Sequence, residues 1–133
     1  MWSCTTNTCY EVKNISNKKY LRKNEFRIST HPDVISPRGD THVVYVSAKQ
    51  GHKAKVNVIT HSSTFFGEPT VPLYKNPDIT SKDPRLSRFS VPRWHNDNTI
   101  KEKPKKGFWR LHKVDKIAIK KFNKKYAKNC KNK

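Results

Sequence analysis

The stretch Asp40–Ser62 constrains the fold more than any other part of the chain. Two runs rich in β-branched residues, Thr41–Ala48 and Lys53–His61, flank a polar turn containing Gly51. Such runs favour strands, and glycine supplies the positive φ that a tight hairpin loop needs. Register then decides which side chains share a face. A two-residue loop at Gln50-Gly51 would set Val46 against Lys55 and Val44 against Asn57, mixing lysine and amide into the valine face. A three-residue loop, Gln50-Gly51-His52, sets Ala48 against Ala54, Val46 against Val56 and Val44 against Val58. The second register gives one apolar face and is the one expected. The other face then pairs Val43 with Ile59, Tyr45 with Asn57, Ser47 with Lys55 and Thr41 with His61. It is half polar, as the outer face of an antiparallel sheet often is, and could present side chains to a ligand.

The flanking sequence places further elements around this hairpin. Glu25–Ser29 alternates Phe26 and Ile28 with Arg27 and reads as a short strand. Ser63–Pro92 holds five of the eight prolines, which excludes helix and limits strands to short or edge pieces. Its apolar residues predict an ordered extended wrap, anchored by Leu73, Ile79 and Leu86, with a further strand at Arg88–Val91. Gly107–Leu111 also reads as a strand. Val114–Lys128 is a helix by periodicity, with Val114, Ile117, Ala118, Phe122 and Tyr126 as the stripe that packs on the sheet. The expected class is α+β, a small antiparallel sheet centred on hairpin 41–61 with a C-terminal amphipathic basic helix. Residues 1–10 are expected to be disordered, 11–128 to form one domain, and 129–133 to be a basic tail.

Charge narrows the partner. The formal net charge is +19, from 29 basic and 10 acidic side chains among 133 residues. That excess opposes compaction unless a polyanion neutralises it. No apolar run reaches the length of a membrane span, and the start lacks the basic and apolar regions of a secretory signal. The expectation is a cytoplasmic protein whose partner is nucleic acid, RNA ahead of DNA, or an acidic protein such as an antitoxin. Lys101–Lys133 carries thirteen lysines and one arginine against Glu102 and Asp115. Within the helix, Lys116, Lys120, Lys124 and Lys128 lie on one row and are not interleaved with glutamate, unlike a helix balanced for solubility. Unpaired lysines of this kind are the footprint of phosphate binding. Trp94 and Trp109 sit beside Arg93 and Arg110, where rings could stack bases while cations hold phosphates. With Arg88, these residues form the expected nucleic-acid contact set.

Chemistry is a second possibility in the sequence. A metal-free ribonuclease needs a base, an acid and cations on the phosphate, and His61, Lys55 and Tyr45 supply such groups from the polar face of the hairpin. In size, charge and element type the chain is similar to compact microbial and toxin ribonucleases, an analogy of class that does not assign activity, and a metal-independent endoribonuclease of toxin type is the alternative reading that rests on these three residues. A structural component of a ribonucleoprotein is the third reading. No Gly-rich phosphate loop, H-E-x-x-H or carboxylate cluster appears, and no cofactor is expected. Cys4 and Cys9 would hold a metal only with two further ligands from elsewhere, so free thiols and no metal are expected.

Overall fold

A computed structural model describes residues 2–5, 8–11, 21–34, 39, 42–104 and 109–126. Within residues 1–10, expected to be disordered, β1 (Trp2–Thr5) and β2 (Thr8–Glu11) pair as an antiparallel ribbon with Cys4 opposite Cys9. The main sheet contains β3 (Glu25–Ser29), β4 (His42–Gln50), β5 (Lys53–Thr60), β8 (Val71–Pro72), β9 (Arg88–Phe89) and β10 (Arg93–Asn96). A small ribbon of β6 (Thr64–Phe65) and β7 (Glu68–Pro69) lies between them in sequence. One α-helix, α1 (Lys113–Lys125), follows. The class is α+β, with a small antiparallel sheet and a C-terminal helix.

The hairpin of β4 and β5 sits at the centre of the sheet, and its middle has the expected register. Val44 opposes Val58, Tyr45 opposes Asn57 and Val46 opposes Val56. Towards the loop the register differs. Ala48 opposes Lys55 and Gln50 opposes Lys53, so Ser47 is an extra residue in a bulge and the loop is two residues, Gly51-His52. Gly51 has φ +59 in the first central position, where a type II′ loop requires a positive value. Ser47 Oγ donates to Lys55 O at 3.1 Å, which ties the bulge to its partner strand. One bulge and a shorter loop thus replace the three-residue loop without disturbing the valine pairs.

Both faces of the sheet are covered. Val44, Val46, Ala54, Val56 and Val58 pack with Leu21, Val34 and Ile100 on one side. On the other, Tyr45 joins Phe26, Leu73, Phe89, Leu111 and Ile119. The Tyr45 face is therefore a second core rather than an outer surface. Asn57, expected on an open face, is wholly buried because the proline-rich segment and α1 cross over it.

Of the three anchors expected for the wrap, one is in place. Leu73 is buried, but Ile79 and Leu86 are 47% and 58% exposed. Pro77, Phe89 and Val91 take their place in the interior. From Arg88 to Asn96 the chain runs along β5. It pairs at Ile59↔Phe89, bonds Ser90 N to Val58 O, and pairs again from Arg93↔Val56 to Asn96↔Lys53. Trp109 makes only an isolated bridge to Asp78, and Arg110 N donates to Pro77 O, so 109–111 is not the expected strand. Residues 105–108 and 127–133 lie outside the described residues, and with them Lys128 and the expected tail.

The helix forms where periodicity placed it, but turned about its axis. Its buried residues are Asp115, Ile119 and Asn123, while Val114 and Ile117 are 49% and 58% exposed. Polar anchors set this orientation. Asp115 accepts backbone N–H bonds from Tyr74 at 2.7 Å and Lys75 at 3.2 Å, and Asn123 bonds to Asn57. His112 caps the helix, its Nδ1 accepting from Val114 N.

Candidate nucleic-acid interface

Rotation of α1 gives the lysine row a new position. Asp115, Ile119 and Asn123 face inward, so Lys116, Lys120 and Lys124 stand one residue further round and border a groove against the sheet. Successive members of this row are about 6 Å apart along the helix axis. Opposite them lie Lys23 and Asn24 in the turn before β3, Tyr45 and Ser47 of β4, and Lys55 of β5. The cavity is about 540 Å³, and Ile117, Ile119 and Asn123 complete its lining. Five lysines therefore converge, and no carboxylate is among the lining residues. None of the five forms an ion pair with a described residue.

The floor of the groove is polar but fixed. Tyr45 OH donates to Asn24 Oδ1 at 2.9 Å, and Asn24 holds the left-handed conformation, φ +68, that asparagine tolerates. Burial pushes the Tyr45 hydroxyl above its ordinary value, so it stays protonated and acts as a donor rather than a base. Lys55 Nζ stands 5.8 Å from the ring centroid of Trp94, its cross-strand partner. The contact is of cation–π type and sets an aromatic surface beside the cationic one.

A second cavity, about 330 Å³, shares Asn24 and Lys116 with the first and adds Trp109 and Arg110. Trp109 packs on Phe26 with ring centroids 5.4 Å apart, and Arg110 is exposed. Glu25 at this end is balanced by Lys103 at 2.9 Å and Arg27 at 3.3 Å. Lys124, Lys120, Lys116 and Arg110 thus follow one another along a single side of the molecule.

Other sequence candidates are placed elsewhere. Arg88 bonds through Nε to Thr70 Oγ1 and through Nη2 to Thr70 O, a structural role. Arg93 is held by Glu68 at 3.2 Å and Asp33 at 3.5 Å, and lies 5.0 Å from the Phe66 ring. Both arginines are engaged by groups of the fold and lie outside the lining of the lysine groove. His61 does not join Lys55 and Tyr45. Its Nδ1 contacts Leu86 O at 2.9 Å and its Nε2 lies 3.6 Å from Asp83, itself bound to Arg85. Five strand positions, roughly 17 Å, separate Lys55 from Thr60 next to His61. The trio His61, Lys55 and Tyr45 is split, because a shared face does not make residues at opposite ends of a strand neighbours.

Sequence reasoning missed Lys23, Asn24 and Ser47 as groove residues. Compared with protein-family models, with curated proteins and with solved structures, the chain matches none.

Proposed function

We propose that the protein binds nucleic acid, RNA in preference to DNA, by seating the sugar–phosphate backbone in the lysine groove between α1 and the sheet. The observation that carries this reading is the convergence of Lys23, Lys55, Lys116, Lys120 and Lys124 on one cavity with no carboxylate in its lining. Like charges brought together oppose folding, so a site that gathers them gains most when an anion enters. A row of cations spaced along a helix suits a polyanion better than a single small anion. Trp94 beside Lys55 and Trp109 beside Arg110 add ring faces at which unpaired bases can stack, which favours single strands. The net charge of +19 supplies long-range attraction to the same partner.

Fluorescence anisotropy with labelled single-stranded RNA and DNA, in EDTA and at low and moderate salt, tests the reading. Binding that weakens steeply with salt, and is tighter for RNA, is expected. No binding to either strand at low salt would remove it. No described helix is long and apolar enough to cross a membrane.

A further inference from the structure

On the valine side of the sheet, three other side chains converge. His31 and Asp33 flank Pro32 at the turn that follows β3, and His95 comes from β10. Asp33 Oδ2 lies 3.8 Å from His31 Nδ1 and 3.7 Å from His95 Nε2, and one donor atom from each residue falls within 4.8 Å of the others. The two imidazoles stack with centroids 3.6 Å apart and planes 7° from parallel. They line a cavity of about 270 Å³ together with Lys53, Arg93, Trp94 and Asn96.

His95 is the residue that ordinary packing does not explain. It is 2% exposed, and neither ring nitrogen has a hydrogen-bond partner. A buried polar group left without a partner is destabilising, so such groups are rare and a bound ion is one of the things that explains them. An aliphatic side chain would fill the same space without that cost. Its ring lies inside the cluster, with Nε2 3.7 Å from Asp33 Oδ2.

We propose that His31, Asp33 and His95 form a binding site for a divalent transition-metal ion of the zinc class, with a coordination position left open to water or an anion. Two imidazole nitrogens and one carboxylate oxygen are a donor set this class of ion takes in sites with an exchangeable position. Ligand atoms at bond lengths of about 2.0–2.1 Å lie roughly 3.3 Å apart in a tetrahedron. The observed 3.7 and 3.8 Å spacings thus need a contraction of roughly 0.4 Å. The rings must also open from their parallel stack so that both lone pairs point at one ion. His31 is the freer of the two, with 26% of its side chain exposed, and exchanges the bond its Nδ1 accepts from Asp33 N.

Arg93 bears on which ion is chosen. Its Nε lies 3.5 Å from Asp33 Oδ2, so its charge opposes a second cation, while Glu68 at 3.2 Å shares the guanidinium. Oxygen-seeking ions such as Mg²⁺ or Ca²⁺ would depend on the one carboxylate and bind poorly here. An ion that bonds imidazole nitrogen strongly is less affected. Arg93 and Lys53 beside the open position would favour an anion as the fourth ligand.

Cobalt(II) titration tests the site, because its visible ligand-field bands report coordination directly. Cys4, Cys9 and Cys130 are first replaced by serine, so that thiolates cannot bind the ion. Expected is uptake of one Co²⁺ per chain, with the strong bands of a four- or five-coordinate ion, displaced by Zn²⁺. His31→Ala and Asp33→Asn each weaken binding about 100-fold or more, since even supporting residues of metal sites are worth 10–100-fold. Both side chains are partly exposed, so the variants are expected to fold, and circular dichroism with denaturation midpoints checks this. Absence of Co²⁺ uptake by the cysteine-free protein overturns the proposal. So does uptake that both folded variants retain unchanged.

Discussion

Asn57 of β5 and Asn123 of α1 exchange two amide hydrogen bonds in the interior, 2.8 Å in one direction and 3.1 Å in the other. Asn57 Nδ2 also donates to Ser90 O at 2.9 Å, so one side chain joins the central strand, the proline-rich wrap and the helix. Removing either partner leaves the other amide buried and unsatisfied. Asn57→Ala and Asn123→Ala should each lower stability by about 2–3 kcal/mol. Measured by urea unfolding, the double variant should lose less than the sum, with a coupling of about 1 kcal/mol or more. Additive losses would mean that the two amides do not act as a unit.

The same pair explains why the helix was legible in position but not in orientation. The apolar stripe expected from periodicity was Val114, Ile117, Ala118, Phe122 and Tyr126, whereas the buried row is Asp115, Ile119 and Asn123, two of them polar. Buried polar residues with satisfied bonds defeat a reading based on apolar spacing, because their partners, Tyr74, Lys75 and Asn57, are distant in sequence. The valine pairs were legible because cross-strand register follows from local alternation. The Ser47 bulge was not, since a serine in a strand carries no mark of an extra residue. The lysine row was legible as a row, and only the fold shows that it borders a groove. The His31–Asp33–His95 cluster could not be assembled from sequence, because β10 brings His95 across from a segment more than sixty residues away.

Asp115 should hold the wrap to the start of the helix. Its carboxylate accepts both Tyr74 N and Lys75 N, and it is 1% exposed. Asp115→Ala leaves two backbone donors without their acceptor and should cost about 2–4 kcal/mol. Hydrogen exchange at Tyr74 and Lys75 should accelerate along with that of the first helical turn. Unchanged exchange at both amides would show that the carboxylate is not their anchor.

Glu25 should shape the acid limb of the stability curve. Burial alone would raise its carboxyl, but hydrogen bonds from Lys103 and Arg27, with the charges of both, outweigh it and hold the group below its ordinary value. A carboxylate lowered on folding stabilises the native state above its unfolded value, near pH 4.3, and that contribution disappears as pH falls through the lowered native value. In Glu25→Gln the contribution is absent at every pH. The difference in unfolding free energy between the parent and Glu25→Gln should therefore be constant near neutrality and shrink below about pH 4.3. A difference that persists unchanged in acid would assign the effect to packing and not to charge.

The groove lysines make the strongest quantitative demand on the proposed function. For single strands the salt dependence of binding has a slope of about −0.7 for each phosphate neutralised. Five lysines engaged together predict a slope near −3.5 in log K against log salt. Lys116→Ala and Lys120→Ala combined should reduce its magnitude by about 1.4 and weaken binding at low salt. Both side chains are exposed on the helix, so stability should change little. Lys113→Ala with Lys121→Ala removes the same charge from positions outside the groove lining. That pair separates the groove from general attraction, because it should leave the slope nearly unchanged. Equal losses from the two double variants would mean that net charge binds the nucleic acid and that the groove has no special part in it.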